Sequence, residues 1–505
     1  MMGNLLTLIV FLPLLGALIL GFVPRSASSQ PKAIALIATF LPLLFAGILY
    51  GNFDGAQHGM QFTESKEWIH IAHAFQDKEL VIGYSLGVDG LSLPFLLLTS
   101  IVTFLGVLAT KSVQRVKEFF IWYLILVTGL YGCFLAQDLF LFFLFLEMTL
   151  VPMYFLIGIW GGDRKGQVAT KFLIYRGLAS VGILVSFVAL AFKAAAVTGV
   201  MTMDMTSIAN AFAKAPADVI SSSFKHGIFL VLFLAILIEE AFFPFHTWLP
   251  DTHEQAPSTI SMVVGGVLMK IGAYVLFRIG VGILPDAIQY YATLIAVIGV
   301  INIVYAALVA MVQKDWRRLL AFSAISHMGV VLLGVAALNQ EGLQGGIFMT
   351  ISSGLLSGLL FFLIGAIKER TGTTVINALG GLSKPMPILA GFLLAAALGS
   401  LGLPGMSGFI SEILAFMGAF AAFPGLSAVG TLGIIFAAVY LLWAMQRTTY
   451  GPTTAQWEGL SDARAVEYVP MVVFVALIIL IGVYPSILGD LVNPTISSYV
   501  TRIGG

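Results

Sequence analysis

The sequence predicts an all-α polytopic membrane protein of about fourteen transmembrane helices, and three observations carry that prediction. Hydrophobic residues make up 59% of the 505-residue chain and charged residues only 10%, far from the make-up of a soluble domain. The mean hydropathy is +1.00. Apolar runs of about 20 residues, the length that crosses a bilayer as a helix, recur from one end to the other. A soluble core of this size could not bury so much apolar surface, whereas lipid can cover it.

The runs fall near 4–23, 32–51, 86–110, 118–136, 138–160, 167–192, 226–245, 258–280, 287–312, 318–337, 344–367, 386–418, 426–448 and 467–488. The first, "MMGNLLTLIVFLPLLGALILGFVPR", has the look of a signal peptide with "SAS" as its cleavage site. It lacks a basic leading region and is close to full membrane length, so it is read as the first span. The longest polar interruptions, 52–83 and 193–225, are too short to be domains, and 1–505 is expected to form one bundle. Within it, spans one to three occupy 1–110 and a closing span occupies 467–488. Between them stand two five-span units, 118–280 (spans four to eight) and 287–448 (spans nine to thirteen). Span seven runs into Pro244 and Pro250, and span twelve holds "LGLPGMSGFISE" with Gly402, Pro404, Gly405 and Gly408. Each is the fourth span of its unit. Broken helices at matching positions point to inverted repeats with a transport site between them.

The 25 basic and 25 acidic residues balance, which gives no reason to expect a nucleic-acid partner; membrane lipids are the expected surroundings. The lone Cys133 excludes an intrachain disulfide and a CxxC cluster. Phosphate-binding and dinucleotide-binding glycine motifs are missing, and "HEQAP" (253–257) lacks the second histidine of a zinc helix. "LFLFFLFLE" (139–147) reads as lipid-facing packing, and His58, His70 and His73 as the solvated surface of a polar loop. Sixteen basic residues fall in odd-numbered connections, seven in even connections and termini, and Arg176 and Lys270 inside spans. That bias puts the odd connections in the cytoplasm and both termini outside.

Charges deep in a span cost several kcal/mol unless paired or hydrated. Glu147 lies roughly 14 Å into span five at about 1.5 Å per residue. Arg176 lies at similar depth in span six, Lys270 at the centre of span eight and His327 at the centre of span ten. Glu239 and Glu240 approach the break in span seven, and Glu412 follows the break in span twelve. Singly, His327 reads as a hydrogen-bonded packing residue, and Glu147 or Arg176 as half of a structural ion pair. As a set, acids, bases and a histidine at similar depth predict a proton relay, because burial and neighbours can bring such groups toward neutrality.

The stretches "FLFLEMTLVPMYFLIGIWGG" (143–162), "FPFHTWLPDTHEQAP" (243–257) and "RRLLAFSAISHMG" (317–329) carry a family signature. So do "GVDGLS" (87–92) and "GLPGMSGFISE" (402–412). Together they resemble the proton-translocating, antiporter-like membrane subunits of respiratory complex I over nearly the whole chain. The resemblance implies a membrane-arm subunit of a bacterial NADH-quinone oxidoreductase in the inner membrane, moving protons as quinone is reduced elsewhere. It implies neighbours among the other membrane-arm subunits, including sister antiporter-like ones. It also implies that NADH, flavin, iron–sulfur clusters and quinone bind elsewhere in the complex and none on this chain. Glu147 matches the family's span-five glutamate, Lys270 its span-eight connecting lysine, His327 its span-ten histidine and Glu412 its terminal acid. A subunit of a multi-subunit cation/proton antiporter and a non-pumping structural subunit are the alternatives.

Some positions depart from the family pattern. Relatives usually place a lysine where this chain has Glu239 and a proline where it has Ala241, and some place a histidine at Ser353. The usual glutamate–lysine pair has become Glu147 with Glu239. Relatives tend to be uncharged at Arg176, so that arginine is expected to face Glu147 or Glu239 and compensate them. Glu240, rotated about 100° from Glu239 around a helix, is expected to be the less sensitive acid.

Overall fold

The computed structural model describes residues 3–24, 29–57, 59–75, 78–111, 113–452 and 455–504 and is helical through most of them. Arg25 and His58 lie outside the described residues, as does the side chain of His73. Thirteen helices among the described residues are long and apolar enough to cross a membrane. They are spans one to eleven, thirteen and fourteen: Leu5–Phe22, Gln30–Asn52, Ser92–Ala109, Val116–Leu135, Leu139–Trp160, Lys165–Thr198, Ser222–Glu239, Ser258–Val281, Ala292–Met311, Trp316–Ala337, Gln340–Thr371, Pro424–Thr449 and Ala465–Val483. Span twelve is two half-helices, Pro387–Ser400 and Ser407–Ala422, separated by the glycine-rich break. The most apolar stretches of spans eight, ten and eleven are wholly buried, against a third for spans two and fourteen. The former are therefore the axis of the bundle and the latter part of its lipid-facing belt. Spans nine and ten meet backbone to backbone, where a Cβ on Gly329 would stand 2.7 Å from the Gly299 carbonyl oxygen.

Five local expectations are corrected. The interruption at 52–83 holds strands β1 (Gln61–Phe75) and β2 (Lys78–Val88), antiparallel to each other. Strand β3 (Met201–Thr202) adds to β2 in parallel. His70 therefore stands in a strand rather than a loop, 3.5 Å from Glu79. Span three begins at Ser92 and not near 86, because residues 86–88 belong to β2. Span six continues to Thr198, and the amphipathic helix Met205–Lys214 follows β3. Span eight is not one α-helix: an α segment (Ser258–Gly266) passes through a 3₁₀ turn (Leu268–Lys270) and one α turn (Ile271–Val275) into a π turn (Leu276–Val281). Beyond span fourteen, which stops at Val483, lies a further helix, Ser486–Ile503.

The second span of each five-span unit starts the same way. Asp138 caps span five, accepting from the backbone N–H groups of Phe140 and Leu141. Asp315 caps span ten through Arg317 and Arg318. Each aspartate also sits in an antiparallel bridge to the segment after the third span of its unit. Leu139 N donates to Met203 O and Met205 N to Gln137 O; correspondingly, Trp316 N donates to Thr374 O and Ile376 N to Lys314 O.

Those bridges lie on opposite faces. Around the second, the odd connections come together: Arg164 with Glu254, Lys171 and Arg318 with Asp251, and Lys111 and Arg370 with Glu467. Around the first stand the hairpin and both ends of the chain. Leu6 N donates to Glu64 of β1, and Arg502 donates to Gly282 O at the far end of span eight.

Asp251 links three connections, 2.8 Å from Lys171 and 3.0 Å from Arg318. Burial alone would raise its carboxyl, but the hydrogen bonds from those two cations outweigh it and hold it below the ordinary range. A depressed carboxyl adds stability above its unfolded value, about 3.9, and loses it as pH falls through the folded value. Asp251→Asn should therefore lower the Tm of the solubilised protein at neutral pH, by an effect of about 1 kcal/mol or less for a half-exposed cluster. The difference from the unsubstituted protein should begin to shrink as pH falls below about 4 and vanish once pH is below the depressed folded value. Thermal unfolding across that range measures it, and a pH-independent difference would count against the ion pairs.

Candidate functional site

Span seven ends because its backbone is forced to turn. Glu239 is its last helical residue, Glu240 caps it, and Ala241 takes a positive φ of 57°. A proline, locked near −65°, could not adopt that angle. The alanine at 241 and the glutamate at 239 are thus parts of one rebuilt break. In a membrane the carbonyls freed by such a break need partners from the protein itself. Trp248 Nε1 donates to Ile238 O at 3.0 Å, and Arg176 donates to Glu239 O at 3.2 Å. Asn302 of span nine accepts from Phe243 N at 2.8 Å. Beyond the break a short helix, Trp248–Gln255, carries the chain to the face of the odd connections.

Arg176 does more than cap. Its guanidinium lies 2.6 Å from Glu239 Oε1, and the two side chains are 2% and 1% exposed. The rings of Phe172 and Trp248 lie under it at 5.8 and 5.9 Å. The expected compensation is therefore in place, with Glu239 as the partner. Glu147 is half-buried on span five and close enough to Glu239 to repel it. Three charges meet here, two negative and one positive.

Glu240 points away from that cluster into the bundle axis. Its Oε1 accepts from Ala273 N at 2.9 Å, on span eight just past the 3₁₀ turn. Gly272 is required there, since a Cβ would come within 2.6 Å of Glu240 Cγ. Glu240 also attracts Lys270. The different azimuth expected for Glu240 is what the structure shows, and it gives the acid a partner of its own on the axis. Lys270 is fully buried and donates to Ser353 Oγ at 2.9 Å and Met328 Sδ at 3.2 Å. Ser353, where some relatives place histidine, is thus a direct partner of the lysine.

His327 follows on span ten, within electrostatic reach of Lys270 and in contact with the backbone of Ser400, where span twelve breaks. On the other side of that break, Glu412 packs against Gly402, whose φ is 74° and where a Cβ would stand 2.5 Å from Glu412 Oε2. Glu412 is in hydrogen-bond or ion-pair contact with none of the other candidate residues; the span-twelve break lies between it and His327.

Buried side-chain atoms without a protein hydrogen-bond partner, among the described residues, gather along this line. They include Glu239 Oε2, Glu240 Oε2, His327 Nε2, Ser400 Oγ, His246 Nδ1 and both ring nitrogens of His253. Buried polar atoms of this kind are the ones that internal water satisfies in folded proteins. His246 and His253 were missed as candidates. His246 bonds Tyr305 OH at 3.2 Å, and His253 stacks on Phe361 with ring centroids 4.1 Å apart. Both lie in the motif that carried the resemblance, where a histidine flanked by proline and tryptophan gives no sign of depth. Among the described residues no group of three or more His, Cys, Asp or Glu is placed to hold a metal ion.

Residues 136–437 match the family described as NADH:quinone oxidoreductase/Mrp antiporter, TM. The chain is 36% identical to NADH-quinone oxidoreductase subunit M of Rhodobacter capsulatus, with 99% of this chain and 97% of that one covered. It is 37% identical to NAD(P)H-quinone oxidoreductase chain 4 1 of Synechococcus sp. (strain JA-2-3B'a(2-13)), with 95% and 90% covered. A chain of the solved respiratory complex I from Thermus thermophilus with bound NADH superposes with a TM-score of 0.86 at 29% identity, with 99% and 100% covered. With buried ionisable residues at its broken helices and a likeness from end to end to these subunits, the protein belongs to the NADH:quinone oxidoreductase/Mrp antiporter family of membrane subunits.

Proposed function

We propose that the chain is a proton-translocating membrane-arm subunit of an NADH-quinone oxidoreductase, relaying protons along Glu147, Glu239, Glu240, Lys270, His327 and Glu412. The observation that carries this reading is the placing of buried titratable groups at the irregular or broken helices, Glu239 and Glu240 at the end of span seven, Lys270 in span eight and Glu412 after the break of span twelve. Full-length likeness to subunit M and chain 4 favours it over a subunit of a multi-subunit cation/proton antiporter. The matching bridges at Asp138 and Asp315 support two inverted units, 118–280 and 287–448. The chain carries no redox centre of its own; NADH, flavin, iron–sulfur and quinone chemistry belong to other subunits, and sister antiporter-like subunits flank it. It sits in a bacterial inner membrane with both termini outside.

Span seven works with a carboxylate in place of an ammonium. Arginine does not give up its proton in a protein, so Arg176 cannot be the carrier. The proton is taken by Glu239, and Arg176 positions it and balances its charge.

Four measurements test these assignments. Thiol labelling of Lys314→Cys, at an exposed position of the same connection, from one side of sealed membranes should succeed only from the cytoplasm; labelling only from outside reverses the orientation. In the assembled complex, Glu147→Gln keeps volume and hydrogen bonding but cannot ionise, so it should strongly reduce redox-coupled proton uptake without loss of assembly. Unchanged uptake would remove Glu147 from the path. Glu412→Ala should do the same to proton release, and normal translocation would contradict its terminal role. Arg176→Thr leaves Glu239 buried and uncompensated, at a typical cost of about 3–5 kcal/mol, and Glu239→Lys alone sets two cations together. The double substitution should recover much of both losses in assembly and pumping. A double variant no better than the singles would sink the pairing.

A further inference from the structure

Span eight holds a second buried charge eight residues after Lys270. Arg278 lies in the π turn Leu276–Val281 and makes a bidentate pair with Asp89, at 2.6 and 2.8 Å. Its remaining donors reach Tyr274 OH at 3.2 and 3.1 Å, and that hydroxyl donates to Phe134 O. Asp89 is as tightly held. It caps span three, accepting from Leu91 N at 3.1 Å and Ser92 N at 2.9 Å. Burial works against its charge, but Arg278 and these N–H groups prevail and keep its carboxyl below the ordinary range. The relay described above uses neither residue.

The pair borders a cavity of about 250 Å³ on the face that carries the termini. Gln137, Asn210, Thr495, Tyr499 and Arg502 line it further. Gln137 Oε1 is buried there without a protein partner. The volume suits several waters and the lining gives them polar contacts. The cavity floor is thus a fixed ion pair, roughly 12 Å along the helix from Lys270 at about 1.5 Å per residue.

A π turn accommodates one residue more than an α turn. If it relaxed to α, the helix before it would rotate by about 100° relative to the helix after it. Lys270 would swing away from Ser353. The clamp on Arg278 therefore decides which way the lysine faces.

We propose that Asp89 and Arg278 are positioning residues for Lys270: they hold the π turn of span eight at the floor of a hydrated vestibule and so aim the lysine at Ser353 and the second unit. This rests on Lys270 being a proton carrier, and the test separates the two ideas.

In the assembled complex, protons moved per NADH oxidised are compared for Lys270→Ala, Asp89→Asn, Arg278→Lys and the exchange Asp89→Arg with Arg278→Asp. Asp89→Asn should lower the ratio by the same step as Lys270→Ala, Arg278→Lys by part of it, and the exchange should restore at least half of the loss. A purely structural pair would lower assembled complex without changing the ratio per complex. If Lys270→Ala lowers the ratio and Asp89→Asn leaves it normal, the positioning role is wrong while the relay stands. If Lys270→Ala itself has no effect, the relay reading fails first. Should Asp89→Asn not assemble, Arg278→Lys decides by the same criterion. Thr495→Cys should react with a membrane-impermeant thiol reagent applied from the side of the termini, since the natural Cys133 is buried. An unreactive Thr495→Cys means a dry cavity and overturns the vestibule.

Discussion

Within a bilayer the backbone has no water to bond, and an interrupted helix must find donors and acceptors inside the protein. That constraint organises this chain. Each interruption draws polar side chains to the bundle centre to satisfy it, and those same side chains are where charge can reside. At the span-seven break the freed carbonyls of Ile238 and Glu239 are met by Trp248 and Arg176. At the irregular centre of span eight, Ala273 N is met by Glu240. At the span-twelve break, His327 reaches Ser400 and Glu412 packs on Gly402. The proposed relay follows the line of the breaks.

The surroundings keep these breaks rigid. Spans eight, ten and eleven are encased by the rest of the bundle, so the polar groups they carry are shielded from lipid. Lys270 gains its fixed partners from two of those spans, Met328 on span ten and Ser353 on span eleven. Faces are fixed separately, by ion pairs among the odd connections and by the hairpin and final helix opposite. Gly90, beside Asp89, shows how tight the latter packing is: a Cβ there would stand 2.0 Å from the carbonyl oxygen of Leu491 in the final helix.

Much of this was legible in the sequence because lipid imposes a strong, one-dimensional signal. Span number, the interruptions at Pro244 and Gly402, and the rarity of charges inside spans follow from hydropathy and from residue types that break helices. The hairpin was missed because residues 61–75 are largely polar, and a solvated strand leaves no membrane-scale pattern. The irregularity of span eight was hidden for the opposite reason. "VVGGVLMKIGAYVLFRIGV" is apolar enough to read as one helix, and 3₁₀ and π turns are set by partners such as Asp89 that lie far away in sequence. What the sequence did not show for Glu240 is the partner it has instead of Arg176. Its own partner, Ala273 N, exists only because span eight is irregular next to Lys270.

The charge inventory at span seven shows why an arginine–glutamate pair can stand where a lysine is usual. A glutamate facing one lysine has net charge 0 when the lysine is protonated and −1 when it is not. Here Glu147 and Arg176 sum to 0, and Glu239 adds 0 when protonated or −1 when ionised. The cluster passes through the same two net charges with one proton taken up or released. Its field on Glu240 and Lys270, the next groups along the axis, therefore changes by the same amount and in the same sense. In the proposed relay what differs is the carrier of the proton: a carboxyl whose Oε1 faces a guanidinium 2.6 Å away and whose Oε2 is free takes the place of a nitrogen on a flexible stem. A planar, permanently charged fork suits that task better than an ammonium, because it can hold the carboxylate and cap Glu239 O at once without itself changing protonation. Ala241, by permitting the left-handed turn that brings Glu239 O within reach of Arg176, belongs to the same substitution.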